Sequence, residues 1–204
     1  MRLFVKRLTD ILLSGFALLL ASPLMAAVAV LIHMCDGRPV LFRQSRSGYK
    51  GEPFTLLKFR TMRDSPDPKG FPLPDEDRLT PLGRALRQMS VDELPQLWNV
   101  LRGEMSLVGP RPLLTQYMAR YTPEERRRHE AKPGLTGWAQ INGRNARSWQ
   151  EKFALDVWYV DHWSLSLDAR ILLRSPWQIV RRSGISQPGH ATVPEFMGTE
   201  RSES

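Results

Sequence analysis

The chain has 204 residues, enough for one core of ordinary domain size. It carries 29 Lys and Arg against 21 Asp and Glu, a net charge of +8 with pI near 10.1, which calls for an anionic partner: nucleic acid, a membrane surface or a phosphorylated substrate. A single cysteine, Cys35, excludes an internal disulfide framework and a cysteine-based zinc site, and favours a reducing compartment.

From Ile11 to Ile32 the chain reads ILLSGFALLLASPLMAAVAVLI, with no charged residue. At about 1.5 Å per residue this run is long enough to cross a hydrocarbon core of ~30 Å. Three readings compete. A cleaved signal peptide would begin at Arg2, Lys6 and Arg7 and end near Ala26, but the apolar run continues past that point. A spanning helix would put one of two basic flanks, Arg2/Lys6/Arg7 or Arg38/Arg43/Arg46/Lys50, on the wrong side of the membrane. A re-entrant hairpin, breaking at Ser22-Pro23, keeps both flanks cytoplasmic. Proline removes one N–H there, and the serine hydroxyl satisfies part of the freed backbone. Charge symmetry alone leaves hairpin and span level.

Residues 36–63 read as short strands punctuated by Asp36-Gly37, Gly48 and Gly51, with Lys58 and Arg60 on one face. Such a pair is equally at home on a solvated basic face. Residues 64–77 hold four prolines, a glycine and five acidic residues, so no regular element is expected; the loop is inert or a lid. Two helical pieces follow, broken around Ser90. The first carries Leu82, Leu86 and Met89; the second Leu94, Leu97, Trp98 and Leu101. Ser90-x-x-Glu93 fits a capping box, whereas Pro95 moves the helix start to Asp92. Both choices put Asp92 and Glu93 at a helix N-terminus, which favours anions. Thr122-Pro123 opens a short charged helix, followed by a glycine-punctuated strand or loop. From Ser148 the chain is strongly helical. Its last part mixes Leu172, Leu173, Trp177 and Ile179 with Arg170, Arg174, Arg181 and Arg182, the pattern of an interfacial helix or of a core-packed surface helix. After Gly184 the composition turns polar and frays.

No phosphate-binding glycine loop, dinucleotide fingerprint or Gly-x-Ser-x-Gly elbow is present, and His33, His129, His162 and His190 lack metal-ligand spacing. The chemistry-bearing remainder is Asp92-Glu93 with its arginines. An acidic pair at a helix start is ordinarily a cap. Pro110-Arg111-Pro112 changes that balance, because two fixed φ values hold a guanidinium that grips phosphate oxygens in a fork. A carboxylate nucleophile, a divalent metal and an arginine together make a phosphoryl-transfer site.

These segments resemble the monotopic phosphoglycosyl transferases of the bacterial sugar transferase family, in the small form that is the catalytic unit alone. The resemblance rests on Ser22-Pro23, KFRTM at 58–62, DELPQLWNVLRGEMSLVGPRP at 92–112, KPGLTGWAQINGR at 132–144 and LDVWYVD at 155–161, and covers roughly residues 1–185. It implies an α+β fold: a mostly helical, membrane-associated catalytic domain with short strands. The expected divisions are a re-entrant helix-break-helix over 1–35, set by Ser22 and Pro23, a cytoplasmic catalytic domain with interfacial helices over 36–185, and a flexible tail over 186–204. It implies transfer of a sugar 1-phosphate from a UDP-sugar to polyprenyl (undecaprenyl) phosphate, with Mg2+, release of UMP and a covalent aspartyl intermediate. Asp92 is then the nucleophile and Glu93 its partner, both near the metal. Arg111, with Pro110 and Pro112, belongs to the diphosphate or nucleotide site. Lys58, Arg60 and Arg87 match basic substrate positions, and Gln140, Asp156 and Asp161 fall in the later motifs. The expected location is the cytoplasmic face of a bacterial inner membrane, on a route to glycoconjugates, capsule or lipopolysaccharide.

Two other classes are weighed. A membrane-anchored basic module for nucleic acid or lipid would interleave aromatic and basic residues without an acidic centre, so no nucleic acid is expected. A glycosyltransferase cleaving the anomeric bond would release UDP instead of UMP. Small family members lean toward N-acetylated sugars. Oligomeric state is left open, a homodimer included.

Overall fold

The computed structural model describes residues 1–63, 73–143, 147–180 and 195–199, without the side chains of Glu76, Ile179 and Val180. The expected α+β class, mostly helical with short strands, is what it shows.

Helix α1 runs unbroken over Arg2–Asp36, with Pro23 inside it. The expected helix-break-helix therefore lacks a gap in the helix. Ser22 Oγ donates to Leu19 O at 2.8 Å, the carbonyl that Pro23 leaves without its partner four residues on, so the interruption is a single missing N–H. The most apolar stretch of α1 has a mean hydropathy of 2.4 and little protein against it. Leu12, Phe16, Leu19, Leu20 and Leu24 stand exposed.

Both ends of α1 dock on the same globular body. At the N-terminal end Lys6 Nζ donates to Asp168 Oδ2 (2.6 Å) and Val108 O (3.1 Å). Arg7 caps the end of the helix Gln96–Arg102 through Val100 O and Leu101 O at 2.6 and 2.7 Å. Buried Asp10 accepts from Ser106 Oγ and Leu107 N. At the other end Val28 and Ile32 pack with Phe59 and Leu86.

Strands β1 (Leu41–Ser47) and β2 (Pro53–Phe59) form an antiparallel hairpin in which Phe42 faces Lys58. The turn Tyr49–Gly51 joins them. The outer edge of β2 is closed by one side chain on α4 (Gln96–Arg102): Asn99 Oδ1 accepts from Leu57 N and Nδ2 donates to Thr55 O. Of the proline-rich stretch, residues 64–72 lie outside the described residues. Asp75–Arg78 forms a short helix, α2, where no regular element was expected. Its Arg78 guanidinium bonds Asp75 at 2.6 Å, a local charge pairing invisible to composition.

Helix α3 (Pro81–Gln88) starts at Thr80, whose hydroxyl accepts from Gly83 N. A parallel pair, β3 (Ser106–Val108) and β4 (Gly134–Thr136), follows. Thr122 and Glu125 form a reciprocal capping box at α5 (Pro123–Arg126), as its Thr-Pro start foretold. Short α6 (Trp138–Ile141) leads to α7 (Trp149–Asp161) and α8 (Leu165–Val180). The main core joins Val100, Met105, Val108, Tyr159 and Ile171. Helix α8 packs on the core along one side, where Ile171 is fully buried, while Leu173 and Trp177 face outward.

The end of the chain departs from a free tail in one place. Residues 195–199 lie on the domain, with Phe196 buried among Tyr117, Tyr121 and Phe153. One phenylalanine in a polar, glycine-containing stretch gives no periodicity from which docking could be read. The rest of 186–204 lies outside the described residues.

Candidate active site

Three segments converge. Strand β2 carries Lys58 out at its end, α3 carries Arg87, and the loop after β3 carries Arg111. Between them the chain reverses at Ser90, which adopts the left-handed region (φ 55°), uncommon for a residue with a Cβ. A single 3-10 turn, Val91–Glu93, then presents both carboxylates. The expected capping box at Ser90 is not formed. With φ positive at Ser90 and Pro95 at the N-cap, the α-helix starts only at Gln96, so the acidic pair precedes the helix.

The two carboxylates are held differently. Glu93 Oε1 accepts from Lys58 Nζ at 2.7 Å and from Arg111 Nη2 at 2.6 Å. Burial alone would raise its pKa, but the charges and hydrogen bonds of Arg111 and Lys58 hold it well below the usual carboxylate range. Asp92, 6 % exposed, accepts no hydrogen bond from the described residues. Burial pushes its carboxyl above the usual range; Lys58 pulls it down, Glu93 adds to the rise, and Arg87 and Arg111 oppose it. One acid is fixed and firmly ionised. Its neighbour is unencumbered, sits among three cations and is closer to titrating.

The loop of Pro110-Arg111-Pro112 is seated by close backbone approach. A Cβ at Gly134 would lie 2.1 Å from Gly109 N, and one at Gly109 2.1 Å from Lys132 O. Gly134 N donates to Pro110 O at 2.9 Å, and Pro112 is buried with its carbonyl 3.5 Å from Arg46 Nη1. From below, Arg128 Nη2 donates to Arg111 O at 2.7 Å.

Of the residues singled out in the sequence, Lys58, Arg87, Asp92, Glu93 and Arg111 come together, framed by Pro110 and Pro112. Gln140 stands beside Gly137, next to that loop, with both amide atoms buried and unpartnered. Arg60 does not reach the site. Its guanidinium donates to the carbonyls of Asp36, Gly37 and Arg38, holding the exit of α1. It follows Lys58 by two residues, but β2 ends at Phe59 and the Arg60 guanidinium is taken up by the end of α1. Asp156 pairs with Arg128 at 2.6 Å, both buried, and so meets the site only through Arg128. Asp161 is at the surface, paired with Arg127.

Two arginines went unread. Arg46 on β1 is close enough to Arg111 and Glu93 to feel both charges, and burial together with Arg111 lowers its guanidinium to about 10. Arg128 sits in the run Arg126-Arg127-Arg128, which reads as a solvated face. Spacing offered one signal: consecutive residues of a helical turn point about 100° apart, so one member of such a run faces inward.

The family model for bacterial sugar transferases matches residues 1–182. Alike in sequence are "Uncharacterized sugar transferase EpsL" of Bacillus subtilis (52% identical over 97% of this chain and 98% of that one) and "UDP-glucose:undecaprenyl-phosphate glucose-1-phosphate transferase" of Caulobacter vibrioides (43%, over 83% and 67%). A third, "Undecaprenyl-phosphate galactose phosphotransferase" of Salmonella typhimurium, is 38% identical over 89% of this chain but only 41% of its own length. The fold, the acidic pair and its arginines thus sit in a transferase: the chain belongs to the bacterial sugar transferase family.

Proposed function

We propose that the protein moves a sugar 1-phosphate from a UDP-sugar to undecaprenyl phosphate at a membrane surface, releasing UMP, through a phosphosugar ester of Asp92. The observation that carries this is the asymmetry of the pair: Asp92 accepts no hydrogen bond from the described residues while Glu93 is pinned by Lys58 and Arg111. An unbonded carboxylate among cations is a nucleophile in waiting.

In the first half-reaction an Asp92 oxygen bonds to the β-phosphorus, the bond from that phosphorus to the bridging oxygen breaks, and UMP leaves. Arg111 and Lys58 stabilise the charge on the phosphoryl oxygens and keep Glu93 in place. In the second, a phosphate oxygen of the lipid attacks the same phosphorus, the acyl phosphate opens, and Asp92 is regenerated. No group of three or more His, Cys, Asp or Glu among the described residues makes a dedicated metal cage. Mg2+ asks for less, taking one or two carboxylates and completing its octahedron with substrate phosphates and water. Asp92 and Glu93 fit that role; when bound there, Mg2+ would shield diphosphate charge.

The membrane side of the reading is supported by α1. A straight helix of its 35 residues would be about 52 Å long, yet both its ends are fastened to one globular body. A simple span would carry those ends to opposite sides. A bend at Pro23 lets the exposed middle dip into one leaflet and return, with the body on the cytoplasmic face of a bacterial inner membrane. Leu173 and Trp177, exposed on the same helix as Arg170 and Arg174, suit the adjoining interface.

Among donors, an N-acetylated UDP-sugar is the first to assay, with UDP-glucose and UDP-galactose as comparators because two relatives carry those sugars in their names. The decisive experiment omits the lipid. With UDP-sugar and Mg2+ alone, the purified enzyme should release UMP, at most one per active site, and mass spectrometry should find the sugar phosphate on the peptide containing Asp92. Asp92→Asn should fold and show neither. Release of UDP would mean sugar transfer instead, and an adduct surviving Asp92→Asn would displace the nucleophile.

A further inference from the structure

The family match ends at residue 182, and the described segment Glu195–Thr199 lies beyond it. This segment is fastened at several points. Phe196 is 1 % exposed. Its ring meets Phe153 edge-on at 5.0 Å and Tyr117 at 5.6 Å, and stacks on Tyr121 at 5.8 Å. Its N–H donates to the Tyr117 hydroxyl at 3.2 Å, and its carbonyl accepts from Arg120. Glu195 Oε1 takes Gln116 Nε2 at 2.6 Å and Arg120 Nη1 at 2.8 Å. Thr199 Oγ1 donates to Glu125 Oε1 at 2.6 Å, and the other oxygen of Glu125 closes the Thr122 capping box.

The rings that receive Phe196 do a second job. The Arg128 guanidinium lies 5.6 Å from the centre of Phe153 and 6.0 Å from that of Tyr121. That same guanidinium holds Asp156 and donates to the carbonyl of Arg111. A continuous path of packed groups therefore runs from Phe196 through Phe153 and Tyr121 to Arg128, and from there to the backbone between Pro110 and Pro112. With φ fixed at Pro110 and Pro112, and Pro112 confining the residue before it to extended ψ, Arg111 has little local rotation with which to absorb a shift of its carbonyl. The shift passes to the guanidinium that grips Glu93.

We propose that Glu195–Thr199 is a strap in cis, anchored by Phe196, that positions Arg111 for catalysis. The catalytic consequence rests on the reading of Arg111 given above; the positioning itself does not. Phe196 is a positioning residue, touching neither substrate nor the reacting atoms. Withdrawing it leaves the Tyr117–Tyr121–Phe153 cluster unfilled and takes the packing from behind the two rings that the Arg128 guanidinium lies against.

The test uses the full chain in lipid nanodiscs, with Phe196→Ala, Phe196→Leu, Arg111→Lys and the Phe196→Ala/Arg111→Lys pair. Two readouts are taken: UMP release with UDP-sugar and undecaprenyl phosphate, and hydrogen exchange at the Gly109, Arg111 and Leu113 amides. Phe196→Ala should lower turnover on the order of 10- to 100-fold, the scale of a small misplacement at a reacting centre. Phe196→Leu, which refills most of the space, should recover most of it. In the Arg111→Lys background, adding Phe196→Ala should cost less than about twofold more, since effects that share one route do not add. Exchange across 109–113 should quicken in Phe196→Ala. Wild-type turnover in a folded Phe196→Ala, or an equal loss in both backgrounds, overturns the coupling to Arg111. Unchanged exchange overturns the strap. If the wild type releases no UMP, the reaction reading fails while the exchange result still decides the strap. Should Phe196→Ala not fold, Glu195→Gln and Thr199→Ala loosen the strap without opening the core. They should then quicken the same amides, and failure to do so counts against it.

Discussion

Ser22 Oγ stands 2.8 Å from Leu19 O, the carbonyl that Pro23 leaves without a backbone donor. In hydrocarbon a bare carbonyl is costly, so the serine lets a proline sit mid-helix where no water can help. Together with the two docked ends, this predicts one-sided topology. With Cys35 replaced by alanine, single cysteines placed before Thr9 and after Gly37 should both resist a membrane-impermeant maleimide added from the periplasmic side. Pro23→Leu restores the N–H and removes the ring clash. It should therefore let a fraction of molecules straighten and expose the N-terminal site, a fraction that grows when Lys6→Ala and Asp10→Ala release that end from Asp168, Val108, Ser106 and Leu107. Outside labelling of the N-terminal site in the wild type would sink the hairpin.

Lys58 links the two carboxylates, and its removal makes a pH prediction. On the proposed mechanism Asp92 attacks only when ionised. Burial raises its pKa and Lys58 is the strongest influence pulling it back. Taking away that positive charge raises the pKa further, so the acid limb of kcat/KM for UMP release should move to higher pH in Lys58→Gln. Lys58→Arg keeps the charge and should leave the limb near its original place, whatever it does to the plateau. A limb that stays put in Lys58→Gln would mean that Asp92 is not the group titrating.

What could be read from the sequence divides along physical lines. The apolar run is local, and a long apolar N-terminal helix follows from it directly; the Ser-Pro pair leaves that helix continuous. Its docking could not be read, since Asp10 meets Ser106 and Leu107 only through tertiary approach. The site residues nearest in the chain to the recognised motifs were found. Arg60 shows the limit: alternation along a strand holds only while the strand lasts, and β2 ends one residue before it. Arg128 shows the converse, a charge that earns its place by burial against Asp156 and two aromatic rings, which no count of charges along the chain displays.

His129 is one acid-sensitive point of the fold. Its Nδ1 donates to Gly48 O at 3.0 Å, so Nε2 is the bare nitrogen, and it is buried without a partner. Burial, with the charge of Arg128 beside it, lowers its pKa to about 4. Unfolded, an imidazole titrates near 6.5. Between those values the unfolded chain binds more protons than the folded one, so stability falls as pH drops from about 6.5 to about 4 and levels off below. The loss from this group should be about 3 kcal/mol. His129→Asn retains a donor for Gly48 O and cannot take up a proton. Thermal melts across this window should show a shallower slope for the variant than for the wild type; parallel slopes would assign the acid lability to other groups.

The sharpest contrast lies within one motif. In LDVWYVD both aspartates look equivalent, and the family resemblance implies a substrate position for each. The helix separates them. Asp156 points into the body, 3 % exposed, and receives two hydrogen bonds from Arg128, through Nε and Nη2, and the same Nη2 also donates to Arg111 O. Asp161 ends α7 at the surface against Arg127, which also bonds Glu124. A buried pair broken on one side leaves an uncompensated charge, so Asp156→Ala should cost about 3–5 kcal/mol. It should also depress UMP release at temperatures where the variant is still folded, because Arg128 loses the partner that fixes it beneath Arg111. Asp156→Asn keeps an acceptor for the guanidinium and should recover part of both losses. Asp161→Ala should leave the melting temperature and turnover unchanged, as an exposed pair in water contributes little. The reverse pattern, with Asp161→Ala inactive and Asp156→Ala normal, would place the substrate on the far side of α7 and remove Arg128 from the site. Equal loss in both would mean that the motif acts through the stability of the helix alone.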